Sequence, residues 1–439
     1  MNFEKYFEYA KNIGFSDIEF KIVTNNKLSI SLFHQKVENY TVSENDTIYI
    51  RGIVNGNMVS GVSENKNNIE EILNDMVLNA KLIEKKKEQE LFAGSDNYKN
   101  FKTYTDDLSK KSVNDKINLC LNIEKKAYEY NSLIHDVDCV EYEEIESAMK
   151  IVNTKGLKLS YKVNYAMVVL SVVAKSKSDT RTGFKYQIAQ KLEDFDVDKM
   201  VKDACDDAIS SLDGKPCESK KYKVIFTPDV FASFIQVLLS SASGEAVNQG
   251  KSMLKDKLNL PIASKKLTIY ENPQDKNYPY FYRAFDDEGV ATYKKNIIEN
   301  GVLKTYLYNI EAAKEAKTTS TGNGYGGANI GISTALVNVK LGKKSQAELC
   351  EKINNGVLIN NVQGLHAGMN PLSGDFSLQA SGFSIENGQI KDPINLITIA
   401  GNLFDMFKDI EEVGNDLFVT YGGIATPSVL IKKLAISGK

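Results

Sequence analysis

Near the start of the chain, the runs "DIEFKIVTNNKLSISLF" (17–33) and "TIYIRGIVNGNMVSGVS" (47–63) alternate apolar and polar residues at a period of two, and Asn55-Gly56 divides the second run. Only an extended strand places alternate residues on one face, and Asn-Gly supplies the two positive-φ positions of a tight hairpin. The chain must therefore build antiparallel sheet early, with an apolar face that needs cover. Phe3, Tyr6, Phe7 and Ala10, and then Ile69, Ile72, Leu73, Met76, Val77 and Ala80, recur at helical spacing and can provide it. Further stripes run through Val113, Ile117, Cys120, Leu121 and Ala127 and through Val197, Val201, Ala204, Cys205, Ala208, Ile209 and Leu212, with strand-like "SAMKIVNTKGLKLSYKVNYAMVVLSVVAKS" between them. The pattern is α+β. The polar stretch 85–111 reads as a solvated connection with little regular structure and a possible sub-boundary.

At 439 residues the chain calls for two or three domains. "DGKPCESKKYK" interrupts it with Gly, Pro and charge, so the main boundary is placed near residue 218. This gives an N-terminal domain over 1–218, with antiparallel strands and amphipathic helices, and a C-terminal domain over 219–439. The second domain opens with the strand "YKVIFTP"; Thr227-Pro228 then caps a helix whose apolar face holds Val230, Phe231, Phe234, Ile235, Leu238 and Leu239. That helix is expected to carry on through "LLSSASGEAVNQGKS". Asn300-Gly301 and Asn387-Gly388 punctuate a glycine-rich remainder, expected to be mainly β, in twisted antiparallel sheets.

The 54 basic and 57 acidic residues are interspersed and leave a net charge of −3, so no global field favours nucleic acid or an anionic membrane. The N-terminus lacks the apolar core of a signal peptide, and no run of about 18 apolar residues occurs, so a cytoplasmic location is expected. Five scattered cysteines without a C-x-x-C pair read as buried thiols.

Histidine supply excludes much of the remaining chemistry. His34, His135 and His366 are the only three and lie far apart in sequence, so no helix can offer the two imidazoles of an H-E-x-x-H zinc site. Glu245, Asp286, Asp287, Glu288, His366 and Asp375 are groups that a fold could bring together; the competing reading is that they are solvated or cap turns. "FDDEG" (285–289) is a compact acidic turn that could hold a hard cation, without the ligand spacing of a calcium loop. Ser240, Ser241 and Ser243 have no neighbouring base and no G-x-S-x-G elbow. "TSTGNGYGGANIG" (319–331) lacks the G-K-[ST] ending of a phosphate loop, which leaves an unusual backbone path or a close ligand approach. "GLHAGMNPLSGDFSLQASG" (364–382) is either a set of tight turns feeding a strand or a cleft wall bearing His366, Asn370 and Asp375.

The segments "FDDEGVAT", "STGNGYGG", "GMNPLSGDFSLQASGFSIENGQI", "ITIAGNLFDMFKDIEEVGNDL" and "PSVLIKKLAISGK" resemble the TldD/PmbA family, as does "VENYTVSENDTIYIRGI" upstream. That family includes metalloprotease subunits and proteins named modulators of DNA gyrase. Its catalytic TldD-type subunit carries H-E-x-x-x-H on the first long helix of the C-terminal domain and a cysteine ligand near the end. The resemblance places Ser240, Ser241 and Glu245 at those three helix positions, "LFVTYGGIATPS" has no cysteine, and Cys350 does not match.

The resemblance thus implies the PmbA/TldE-like branch: a non-metal-binding subunit of a peptidase complex acting on small or unfolded peptides. Zinc is then expected only in a TldD-type partner, with no cofactor in this chain. No catalytic residue or metal ligand is assigned; Ser240, Ser241, Glu245, His366, Asn370 and Asp375 are expected to line a cleft for an extended peptide, which strand addition to a sheet edge would suit. Two alternatives stay open. One is a self-sufficient homodimeric hydrolase built around Glu245, His366 and Asp375. The other is a regulatory binding protein, such as a gyrase modulator, although neither nucleic acid nor membrane contact is expected.

Overall fold

The computed structural model describes residues 1–84 and 89–439. The alternating runs form β1 (Phe15–Phe33), β2 (Lys36–Val54) and β3 (Asn57–Ser63), joined later by β4 (Ile134–Asn153), β5 (Lys158–Lys175) and β6 (Thr180–Ala189). They make one antiparallel sheet in the order β3-β2-β1-β4-β5-β6. Asn55 and Gly56 take the expected turn at φ 52° and 78°. The β1–β2 turn is unexpected, because His34 and Gln35 adopt φ 50° and 58° without a glycine. Gln35 is held there by Glu124, whose carboxylate accepts from its backbone N and its side-chain Nε2, both at 2.8 Å.

Helices cover one face of this sheet. α1 (Phe3–Ile13) and α2 (Ile69–Ala80) pack on Phe20, Ile48 and Ile50, while α3 (Val113–Tyr130) and α4 (Val197–Ser210) pack on Val140, Tyr142, Val168 and Leu170. α3 starts in a capping box made by Ser112 and Asp115. α4 lies close enough to β6 that a Cβ on Gly183 would overlap the Ala204 carbonyl oxygen.

For the 85–111 stretch the expectation needs correcting in one respect. Residues 85–88 lie outside the described residues, and 89–111 contain no helix or strand, as expected, yet they are docked rather than solvated. Leu91, Thr103 and Leu108 are buried, and Asn164 of β5 exchanges hydrogen bonds with Thr105 at 3.0 and 2.8 Å. Backbone donors and acceptors in an irregular segment need partners, and here the sheet supplies them.

From Lys220 onward the chain forms two further six-stranded sheets and a β-ribbon. One sheet runs, in spatial order, through Gln389–Asn402, Asp375–Glu386, Asn355–Gln363, β7 (Lys220–Phe226), Val429–Ser437 and Ile410–Val413, and its first strand also pairs with Val429–Ser437. The other is built of short strands around Ile269–Glu271 and Val337–Val339. These sheets are antiparallel except where Asn355–Gln363 meets β7 and Val337–Val339 meets Ile424–Thr426. The fold is α+β with a β-rich C-terminal half.

α5 (Pro228–Ser241) follows β7 and is buried on almost every side, with Phe231 against Phe407 and Phe234 against Phe226 and Phe376. Thr227 stands at its N-cap, but the hydroxyl donates to Asp229 at 2.6 Å rather than capping the backbone. Among the described residues no disulfide forms: Cys120, Cys205 and Cys350 are buried, Cys139 and Cys217 half-buried. Burial pushes the Cys120 and Cys205 thiols up to about 12. No described helix is long and apolar enough to cross a membrane.

Gly183→Ala should push α4 off β6 and lower stability by about 1–3 kcal/mol. Urea unfolding of the two proteins measures this, and an unchanged midpoint would show that the contact can relax at no cost.

Candidate functional site

The face of the first sheet that α1 and α2 leave open is also buried. On it, Glu19, Arg51 and Asn153 form one row across β2, β1 and β4, being directly paired residues. Arg51 donates from Nη2 and Nε to Glu19 Oε1 at 2.6 and 3.1 Å, and Asn153 donates to Glu19 Oε2 at 3.1 Å. Two residues along, Lys21 faces the Tyr49 ring at 5.0 Å. What buries this row is the acidic turn 285–289.

Phe285 anchors the turn against Met149, Ile151 and Leu157. Its three acids then take different partners. Asp286 is fully buried and accepts backbone N–H bonds from Glu288 (3.0 Å), Val290 (2.9 Å) and Gly324 (2.8 Å). Asp287 accepts from Gly326 N at 3.0 Å and pairs with Lys21 at 3.2 Å. Glu288 accepts from Ile310 N at 2.8 Å and faces Arg51 Nη1 at 3.4 Å. The three acids are therefore engaged by different protein donors, and among the described residues they do not group as a hard-cation site. Burial lifts the Asp286 carboxyl well above the aspartate range, with the neighbouring Glu288 adding to it and the backbone donors opposing it. Burial likewise raises Glu288, against the pull of Arg51.

The glycine-rich loop is the other half of this lock. Its N–H groups do cradle oxygens, but those of Asp286 and Asp287 rather than a phosphate. A Cβ on Gly324 would strike the Glu288 carboxylate, and one on Gly327 would strike the Tyr49 ring. Close approach thus explains these glycines. Beneath the loop, Lys295 and Glu271 form a second buried pair at 2.6 Å, and Asn323 donates to Glu271 at 2.9 Å. The Tyr325 hydroxyl is buried beside this cluster without a hydrogen-bond partner among the described residues. The chain around 89–101 completes the junction, with Tyr98 donating to Gly289 O at 2.8 Å and Tyr282 to Lys99 O at 3.1 Å. Beside Arg51 and Glu288 opens a cavity of about 530 Å3, lined also by Met58, Ser60, Asn309 and Ile310.

The six residues expected to line a cleft fall into two groups, and none lines that cavity. The expected continuous helix is broken. α5 ends at Ser241, and α6 (Gly244–Asn248) begins after a bridge in which Gly244 N donates to Leu307 O at 2.7 Å and Leu307 N to Ala242 O at 2.9 Å. Ser240 is exposed and Ser241 buried; their hydroxyls donate to Gln236 O and Val237 O at 3.1 and 3.3 Å, the usual fate of a helical serine. Glu245 is exposed on α6 and accepts from Gln249 at 3.0 Å.

The second group lies elsewhere. Asn370 accepts from Leu372 N at 2.9 Å and Ser373 N at 3.2 Å, and Asp375 accepts from Asn402 at 3.0 Å. These are tight turns feeding the strand Asp375–Glu386, and His366 is exposed beside them. The set Glu245, Asp286, Asp287, Glu288, His366 and Asp375 does not assemble, because its three central acids are committed to the sheet junction. Among the described residues no three His, Cys, Asp or Glu side chains are grouped to hold a metal ion. Two hydroxyls and one carboxylate do not fit zinc, which takes imidazole and thiolate.

The family model described as the PmbA/TldA metallopeptidase C-terminal domain matches residues 219–438, and the central-domain model matches 106–212. The chain belongs to the PmbA/TldD family. A metalloprotease PmbA homolog of Buchnera aphidicola subsp. Acyrthosiphon pisum is 28% identical over 98% of this chain and 94% of its own length. The metalloprotease PmbA of Escherichia coli O157:H7 is 29% identical over 65% of this chain and 62% of its own. Among solved structures, a putative modulator of a DNA gyrase from Thermotoga maritima superposes with a TM-score of 0.91 at 29% identity, covering 99% of both chains. TldE from Thermococcus kodakarensis shares the fold with a TM-score of 0.91 at 23% identity, over 99% of this chain and 100% of that one.

Sequence reasoning missed Glu19, Lys21 and Arg51, because charges alternating with apolar residues read as a solvent face. Arg51→Met removes the cation that Glu19 and Glu288 share and should cost about 3–5 kcal/mol in denaturant unfolding. The pH dependence has a definite sign. Over the interval from the ordinary glutamate value of about 4.3 up to the raised one, the folded chain keeps the Glu288 proton and the unfolded chain releases it. Stability contributed by this group therefore falls as pH rises, so Glu288→Gln should gain relative to wild type from low to neutral pH. Unfolding midpoints across that range measure the difference, and a change in the opposite direction would contradict the assignment.

Proposed function

We propose that this chain is the PmbA/TldE-like, non-metal-binding subunit of a TldD/PmbA-type peptidase complex acting on small or unfolded peptides. One observation carries the reading. Where the family's catalytic subunits bear H-E-x-x-x-H, this chain bears Ser240, Ser241 and Glu245, with both hydroxyls turned back onto carbonyls of their own helix. A serine bonded in this way has no base to activate it, and a neutral hydroxyl is not among the thiolate, imidazole and carboxylate ligands that hold zinc.

In this reading the zinc and the hydrolytic water belong to a TldD-type partner, while this chain shapes the shared cavity and helps to hold the peptide. Backbone hydrogen bonding would make that grip indifferent to sequence. Purified alone, the protein should carry no stoichiometric zinc and leave unfolded peptides intact. Co-purified with a TldD-type subunit retaining H-E-x-x-x-H, it should form a heterodimer that contains zinc and cleaves them. Stoichiometric zinc and peptide cleavage by the lone homodimer would overturn the proposal.

A further inference from the structure

β6 is the terminal strand of the first sheet, so one side of its backbone has no strand neighbour; at its start Thr180 N donates to Asp179 Oδ1 at 2.9 Å, and the edge is open from Thr182 onward. Across from Thr180–Thr182 lies the outer face of the strands Asn355–Gln363 and Asp375–Glu386, and a cleft of about 300 Å3 separates the two. The floor of this cleft is formed by two cross-strand pairs, Asn361 with Ser381 and Gln363 with Gln379.

The charges at the margin are already neutralised. Arg181 pairs with Asp179 at 2.8 Å, and Asp207 pairs with Lys185 at 2.8 Å while accepting from Asn360 at 3.2 Å. In contrast, the side chains of Asn361, Gln363, Gln379 and Ser381 have no hydrogen-bond partner among the described residues. Leu396 stands at the rim, 70% exposed and at φ 56°, because residues 395 and 396 form a bulge opposite Ser381. That bulge turns Asn395 inward, where it donates to Ser211 O at 3.1 Å, and turns Leu396 outward.

These features select a ligand by its chemistry. Primary amides both donate and accept, so a neutral lining suits a ligand that does the same and gives no countercharge to an ion. An open strand edge presents N–H and C=O groups at the spacing of another extended chain. The lining contains no aromatic ring on which a sugar could stack.

We propose that this cleft takes an uncharged stretch of extended polypeptide, laid along the free edge of β6 over the amide floor, with Leu396 against one of its apolar side chains. The proposal rests on the reading of the chain as a peptide-handling subunit and places the peptide on it.

The test uses the full-length protein and a fluorescein-labelled, unstructured peptide of Gly, Ser, Thr, Asn and Gln with one Leu, followed by anisotropy with and without the TldD-type partner. Gln363→Glu/Gln379→Glu sets like charges side by side on an exposed face and should weaken binding about tenfold or more. Leu396→Gly, which also relieves the backbone, should weaken it a few-fold with no loss of melting temperature. Backbone N-methylation of the peptide should weaken binding as much as the double substitution. Full binding by both melting-checked variants would put the peptide elsewhere and overturn the site while leaving the peptide-handling role intact. Displacement by a neutral oligosaccharide, with N-methylation without effect, would also overturn it in favour of a glycan site. Absence of peptide binding to wild type, alone and with the partner, would remove both the role and the site.

Discussion

Arg51 sits between two carboxylates from distant regions of the chain, Glu19 on the neighbouring strand and Glu288 on the acidic turn, and much of the molecule is organised around that contact. A guanidinium suits the position because its fixed fork can serve two acceptors at once and it keeps its charge when desolvated. Its charge offsets part of the cost of burying both carboxyls. The glycine-rich loop, the acidic turn and the irregular segment after residue 89 converge on the same face, so a single charged row ties the first sheet to the C-terminal half of the chain. The two motifs that look like ligand loops spend hydrogen bonds on each other, through Gly324 and Gly326 N–H groups to Asp286 and Asp287.

The helix break at Ala242 is a second local decision. Ser240 and Ser241 close α5 while Glu245 stands on α6, so the three positions fall on two helical segments rather than one. Here the bridge to Leu307 interrupts the backbone ladder, and a Cβ on Gly244 would collide with the Tyr308 ring. The serines satisfy themselves on the preceding turn. What remains is a packed wall with one exposed carboxylate, Glu245.

Particular residues show why some of this was legible in the sequence and some was not. Asn55-Gly56 and the apolar stripes of α2 and α3 are local: each follows from neighbours within a few residues, and each element formed where its pattern lay. The tight turn at His34-Gln35 carried no local signal, since its support is Glu124 on a helix 89 residues away. The stretch 89–111 looked solvated because its polar side chains said nothing about the backbone partners that β5 would offer. The lack of a two-imidazole helical zinc site was also legible, because three scattered histidines cannot build one in any fold.

By itself the sequence determined the α+β character, the hairpins, the amphipathic helices and the family, all of which depend on periodicity, turn chemistry and motif identity along the chain. Only the tertiary structure decided that Glu19, Lys21 and Arg51 face inward, that "FDDEG" and "TSTGNGYGG" close on one another, and that His366 and Asp375 stay apart from Glu245. The physical reason is that a strand shows which residues share a face but not what covers that face. A charge is a solvent group or a buried lock depending on a partner hundreds of residues away.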